Sequence, residues 1–316
     1  MHYNEIIDLM NNDFKNKKID KTFPDKLNNF FNKKKVIDIL KDILNNQGLI
    51  EKIANRSYLH TLGFYKIVLI DSDKDLSGFN NKTQLRLHLW KPENDSVPIV
   101  ESLHEHSFDF VSTLLTGEIE NQSFEKSDLT CFGLEILEKT LSLMNVLGKE
   151  EKKFLEEQLD ILMTYNLKNM GSMQFDLMTK KLEIEKLKEV TGFSDEEVNF
   201  LSNIQGFYKS DRIQGEKKNY KHILEKYIEL KPFSVLKIKE GQVYFHPYQL
   251  PHRLFYNNKE YNSTILITTH VPENTEGGSF QRPSYSNDGV KNYGKKAISK
   301  EDLVVLFNEY ISELKK

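Results

Sequence analysis

The chain has 316 residues, 38% of them hydrophobic and 29% charged, with a formal net charge of −3. That is enough apolar material for one large domain or two ordinary ones, and so balanced a charge leaves no basic face for nucleic acid. The single cysteine, Cys131, excludes an intrachain disulfide and a Cys-x-x-Cys-His haem attachment, and no apolar run approaches the roughly 18 residues that span a bilayer. The polar start Met1–Glu5 has no signal-peptide pattern, so the sequence reads as cytoplasmic, without membrane contact.

Residues 3–55 have helical spacing. Ile6, Ile7, Leu9 and Met10 form one apolar stripe, and Val36, Ile37, Ile39, Leu40, Ile43 and Leu44 form another beyond Pro24. The Lys-rich stretches among them are solvated helix faces. Near Tyr58 the period changes. Gly63–Ile70 is rich in β-branched and aromatic residues and reads as a strand. Gln84–Trp90 alternates, with Leu85, Leu87 and Leu89 on one face and Arg86, His88 and Trp90 on the other. His104–Thr116 is the next strand, with a turn at Gly117-Glu118 and a partner strand at Glu118–Phe124.

Helical spacing returns over residues 133–165, and Ser194-Asp195-Glu196-Glu197 is a capping box that opens a further helix. Residues 172–184 lean to strand. The β pattern resumes near Phe233, through Val235–Ile238, Gln242–Phe245, His252–Tyr256 and Ser263–Val271. Residues 272–298, rich in Gly, Asn, Ser and Pro, read as a surface loop, and Ser299–Asp302 caps a final helix.

The expected fold is α+β. An N-terminal helical segment (1–56) precedes a β-barrel unit (57–130 and 231–272). A mainly helical insertion (131–230) interrupts the barrel, and a loop and C-terminal helix (273–316) pack on it. Short strands separated by turns, without a βαβ rhythm, favour an antiparallel barrel or jelly roll.

The chemistry-bearing residues are histidines. His104 and His106 are one residue apart on a strand and point the same way. A third histidine from a neighbouring strand, His246 or His252, would complete a face of three imidazoles able to hold a transition metal with open positions.

The two segments resemble the motifs of the cupin superfamily, G-x5-H-x-H-x(3,4)-E-x6-G and G-x5-P-x-G-x2-H-x3-N. Gly241, Pro247 and His252 fall in register with the second motif, with Gln249 at its second glycine and Tyr256 at its asparagine. His104, His106 and Gly117 fall in register with the first, with Pro98 at the leading glycine and Phe110 at the glutamate. The resemblance covers roughly residues 60–125 and 230–272. It implies a cupin jelly roll, or double-stranded β-helix, with His104, His106 and His252 as metal ligands. Asp109, beside Phe110, reaches the site only through a bulge.

A site of three histidines without the glutamate is similar to cupins that activate oxygen, such as the thiol dioxygenases and the domains that oxidise guanidino-type amino acids. The resemblance therefore implies a mononuclear non-haem iron oxygenase or dioxygenase using Fe(II), O2 and a small amino-acid-like substrate. Arg86 could clamp a carboxylate, with His88 beside it and Tyr256 orienting substrate. Tyr244 and Tyr248 are further orienting candidates, and His270 and His60 lie farther out. Zn, Mn or Ni in the same ligands would give a Lewis-acid isomerase or hydrolase instead. A third reading is a non-catalytic ligand-binding module. Lid and homodimer surface are the two roles open to the insertion.

Overall fold

The structure, a computed structural model, describes the whole chain except residues 1, 16–18, 20–22, 24–26, 28–29, 61, 80–81, 93–98, 168–169, 173–181, 213–218, 258, 271–277 and 282–289. The two N-terminal apolar stripes fold as expected into α1 (Tyr3–Leu9, continuing as a π-turn over Met10–Phe14) and α2 (Lys33–Leu44), followed by α3 (Gln47–Ala54). Asn32 and Asn46 cap the latter two by accepting from Lys35 N and Leu49 N.

The β unit opens with β1 (Tyr58–Leu59), β2 (Tyr65–Asp71), the one-turn α4 (Ser72–Asp75) and β3 (Thr83–Trp90). Then come β4 (Ile99–Val100), β5 (Phe108–Thr116) and β6 (Glu118–Asp128). Among the described residues, the helices α5 (Cys131–Val146), α6 (Lys149–Tyr165), α7 (Ile184–Thr191) and α8 (Asp195–Leu201) follow. Strands return as β7 (Ile204–Arg212), β8 (Asn219–Lys239), β9 (Val243–His246), β10 (His252–Tyr256) and β11 (Asn262–His270). The chain ends in β12 (Gly278–Gln281), β13 (Val290–Gly294), β14 (Lys296–Ala297) and α9 (Lys300–Leu314).

These strands make two antiparallel sheets, one of them curled into a half-barrel. The first has the order β14-β1-β2-β3-β11-β5-β9; the second has β12-β7-β8-β6-β10-β4, with β13 on β8. Consecutive strands from β3 to β6, and again from β8 to β11, alternate between the sheets. Gly117 was expected to close a hairpin; it carries the chain across instead, because β5 and β6 lie in different sheets. Its φ is +84°, and a Cβ there would fall on the Asn262 side chain, so only glycine fits.

Two further expectations differ from what is seen. Helix ends at Leu201, well before residue 230, and β8 runs for 21 residues. Its first half pairs with β7 and its second with β6. The run His222–Leu230 mixes apolar and charged residues at spacings that suit a helix, and sheet pairing overrides them. Within 272–298, the described residues form strands: β12 extends the second sheet, and Glu105 N donates to Gly278 O at 2.9 Å. The expectation of strand over 172–184 falls mostly on residues outside the description, and Ile184 begins α7.

The sheets divide the core. Ile67, Leu69, Leu85, Leu87, Leu89, Val111, Ile265 and Ile267 on the first sheet's outer face pack against α1–α3 and α9. Between the sheets, Trp90, Phe110, Leu114, Tyr244 and Leu266 meet Ile119, Leu254 and Tyr256. The helices α5–α8 have their own core. They are tied to the second sheet where Arg253, on β10, donates to Gln122 Oε1 at 2.7 Å and to Thr164 Oγ1 at 3.2 Å. Among the described residues, no helix is long and apolar enough to cross a membrane.

Candidate metal centre

The space between the sheets brings the three motif histidines together. Ligand-capable nitrogens of His104, His106 and His252 lie within 4.8 Å of one another. His104 is not part of β5, as alternation suggested. Its backbone exchanges two hydrogen bonds with His252 (3.0 and 2.8 Å), and β5 starts only at Phe108. The segment 101–106 thus crosses from the second sheet to the first, carrying one histidine on each side of the crossing. The ring centroids of His104 and His106 stand 4.8 Å apart, and those of His104 and His252 4.5 Å.

Hydrogen bonds assign the tautomers, because a carbonyl oxygen only accepts. His104 Nδ1 donates to Ser102 O at 2.9 Å, which leaves Nε2 as the lone-pair nitrogen. His246 Nε2 donates to Leu250 O at 3.1 Å, so its Nδ1 accepts from Asn121 Nδ2 at 3.5 Å. Asn121 Oδ1 then accepts from His252 Nδ1–H at 2.8 Å, and His252 Nε2 is left bare. One side chain, Asn121, therefore bonds both rings and leaves them different: His252 turns its bare Nε2 to the cluster, and His246 is spent on the Leu250 carbonyl.

His106 Nε2 and His252 Nε2 face each other at 3.0 Å. Two nitrogens bound to one first-row ion at about 2.0–2.1 Å each adopt separations of that size. Burial pushes His104 down, and desolvation followed by repulsion from neighbouring basic groups holds His106 and His252 well below the usual imidazole range. Neutral imidazole is the form that ligates. The cluster could hold a metal ion, and the donor set does not select which one.

Phe110, which the resemblance sets at the glutamate position, packs against the cluster. Its ring stands edge-on to His106 (centroids 5.3 Å apart) and stacks on His246 at 5.1 Å. Asp109 does not reach the cluster; its Oδ1 accepts from Tyr248 N at 2.9 Å. Phe108 stacks on His106 at 4.7 Å, and the Arg86 guanidinium lies 4.6 Å from the centroid of the Phe108 ring.

Arg86 is buried on the inter-sheet face, with Nε and Nη2 both donating to Gln84 Oε1 (2.8 and 2.6 Å). Desolvation lowers it to about 10, against smaller opposing effects of Tyr58 and Asp71. His88 shares that face; its ring meets Phe64 at 4.6 Å, and its Nε2 is buried without a partner. Tyr256 lies deeper, against Trp90 at 5.6 Å, in the apolar floor. Tyr244 is buried edge-on to Phe110, while Tyr248 is exposed. His60 stacks on Phe64 at 4.6 Å, within electrostatic reach of Lys66, His104 and Arg86. The side chain of His270 lies outside the described residues.

Lys66, Asn121, Glu101 and Thr268 belong to this space and were not singled out from the sequence. Lys66 had a signal: it is the one cation in the apolar run Tyr65–Ile70. Glu101 is buried, accepts from Trp90 Nε1 at 3.1 Å, and is pushed up to about 8 by desolvation. Comparison with known proteins adds no relative: neither a family model nor a curated protein matches this sequence. The architecture and the three histidines are compatible with a cupin-like β fold.

Proposed function

We propose that the protein is a cupin-type mononuclear non-haem iron oxygenase acting on a small carboxylate-bearing substrate. The observation that carries this reading is the cluster of three neutral imidazoles with Phe110, not a carboxylate, as its fourth wall. Three uncharged ligands leave a bound ion its full positive charge and open positions. The motif register, the alternation of strands between sheets and the left-handed backbone at Gly117, Gly241 and Gln249 support the cupin jelly roll.

When bound, Fe(II) would supply a centre at which substrate and O2 meet. The chain's own residues do the rest. Arg86 binds the substrate carboxylate, Asn121 orients His252, and Phe108, Phe110 and Trp90 exclude water from the space between the sheets. His88 Nε2, buried and unpartnered, is placed to hold or release a substrate proton.

The test is anaerobic reconstitution with ferrous ion, elemental analysis, and O2 consumption with small carboxylic and amino acids. One iron per chain is expected, lost in the double variant His104→Ala/His252→Ala, with substrate-dependent O2 uptake. A protein that takes up no iron sinks the reading. Full occupancy by Zn, Mn or Ni with turnover independent of O2 would replace it with a Lewis-acid isomerase or hydrolase.

A further inference from the structure

Beside the three histidines lies a second constellation that metal binding leaves unused. Lys66 on β2 stands directly opposite His88 on β3, and Arg86 is its diagonal neighbour. Residues so paired leave the same face of a sheet, with diagonal backbones about 7–8 Å apart. Two long cationic side chains can therefore converge on one small ligand. The face is the inter-sheet one, since Leu85, Leu87 and Leu89 take the other.

Among the described residues neither cation forms an ion pair, although the Asp71 carboxylate, bonded to Gln84, acts on Arg86 from farther off. Among the described residues Lys66 makes no ion pair or hydrogen bond; its ammonium only lies 5.5 Å from the Tyr58 ring centroid. Desolvation, then repulsion from Arg86, Lys295 and Lys82, pushes Lys66 well below its ordinary value. Arg86 bonds only to the neutral Gln84, whose Nε2 occupies Asp71 at 2.7 Å. His88 Nε2 and Thr268 Oγ1 are also buried without partners, and Thr268 lies opposite Gln84 in register. Glu101 sits by Trp90 and is not among the charges acting on Lys66, Arg86 or His88. Placing a buried and a half-buried cation without ion pairs beside bare buried polar atoms is unfavourable unless a ligand supplies what they lack.

We propose that this face binds a small dianionic acid, one negative charge on Arg86 and the other on Lys66, with His88 and Thr268 completing its hydrogen bonds. The proposal rests on reading this space as the substrate side of the metal site, and it narrows that substrate. An amino acid would carry an ammonium group into surroundings whose unpaired charges are positive.

Isothermal titration of the full chain, both chelator-stripped and metal-loaded, tests this with four probes: succinate, inorganic phosphate, butyrate and 4-aminobutyrate. At least one dianion is expected to bind about ten-fold or more tighter than butyrate and 4-aminobutyrate, the scale of one added charge-assisted contact. Which dianion is tighter tells whether the charges sit on two groups or one. Lys66→Met should erase that preference and retain butyrate binding. Its fold, checked by circular dichroism, is expected to survive, because the variant removes an unpaired charge. Dianions binding no tighter than butyrate, 4-aminobutyrate binding as tightly as succinate, or a preference that survives Lys66→Met would each overturn the proposal. The wild-type comparison needs no variant. Measured without metal, it also separates the two readings: a dianion preference in a protein that takes up no iron leaves this inference standing and removes the oxygenase.

Discussion

On one face of β3, Leu85, Leu87 and Leu89 are fully buried against the N-terminal helices and α9. On the other face of the same strand, Gln84 and Arg86 are nearly as well buried, His88 is half-buried, and a histidine nitrogen goes without a partner. The first face is saturated: dispersion and the hydrophobic effect leave nothing there for a ligand to add. The second carries charge and bare polar atoms into a water-poor space, where they weaken the fold unless something binds. The difference separates residues whose burial stabilises the fold from residues whose burial costs stability, although both are largely hidden from solvent.

Truncation gives the largest contrast between the faces. Leu87→Ala opens a cavity in a fully buried position and should cost about 2–5 kcal/mol. Lys66→Met, on the polar face, should leave stability at or above that of the unaltered chain, because among the described residues only the 5.5 Å approach to the Tyr58 ring is lost. Denaturant midpoints measure both. Equal losses would mean that the polar face is a structural core like the other.

Asn121 is the intermediate case, because it serves the metal face from behind. Asn121→Ala frees His252 Nδ1 and lets the imidazole choose the wrong tautomer. Metal affinity should fall by about 10–100-fold, the usual effect of losing a ligand's hydrogen-bond partner. Asn121→Asp keeps the acceptor for His252 Nδ1 and should recover most of the affinity. Competition against a chromogenic chelator reads both variants. If the two lose affinity equally, the Asn121 amide only packs.

Much of this was legible in the sequence. Alternation in Leu85–Trp90 assigned the two faces of β3, and the motif spacing named His104, His106 and His252, three imidazoles that the fold brings together. Apolar stripes, the capping box at Ser194 and the cap at Ser299 located helices, since a cap is a local interaction. Alternation does not say whether a polar face meets water or a second sheet. That depends on β6 and β10, which arrive by chain crossings with no local signature. For the same reason the partner of His252 could not be found: Asn121 is 131 positions away. The register of β8 was hidden because its charged first half owes its strand form to β7.

The smallest effect concerns the turn that feeds His252 into the polar face. At the position where the resemblance expects glycine, Gln249 adopts φ +57°, the one left-handed non-glycine among the described residues. Its backbone N–H donates to His106 O at 2.9 Å, so this turn ties the backbone of His106 to the strand that bears His252. A Cβ in the left-handed region costs about 1–2 kcal/mol, while glycine adds about 0.5–1 kcal/mol of unfolded-state entropy. Gln249→Gly should therefore stabilise the fold by about 0.5–1 kcal/mol, seen as a later denaturant midpoint at unchanged slope. Gln249→Ala keeps the Cβ and should gain nothing. If alanine stabilises as much as glycine, the strain lies in the glutamine side chain, and the match of this turn to the second motif loses its backbone support.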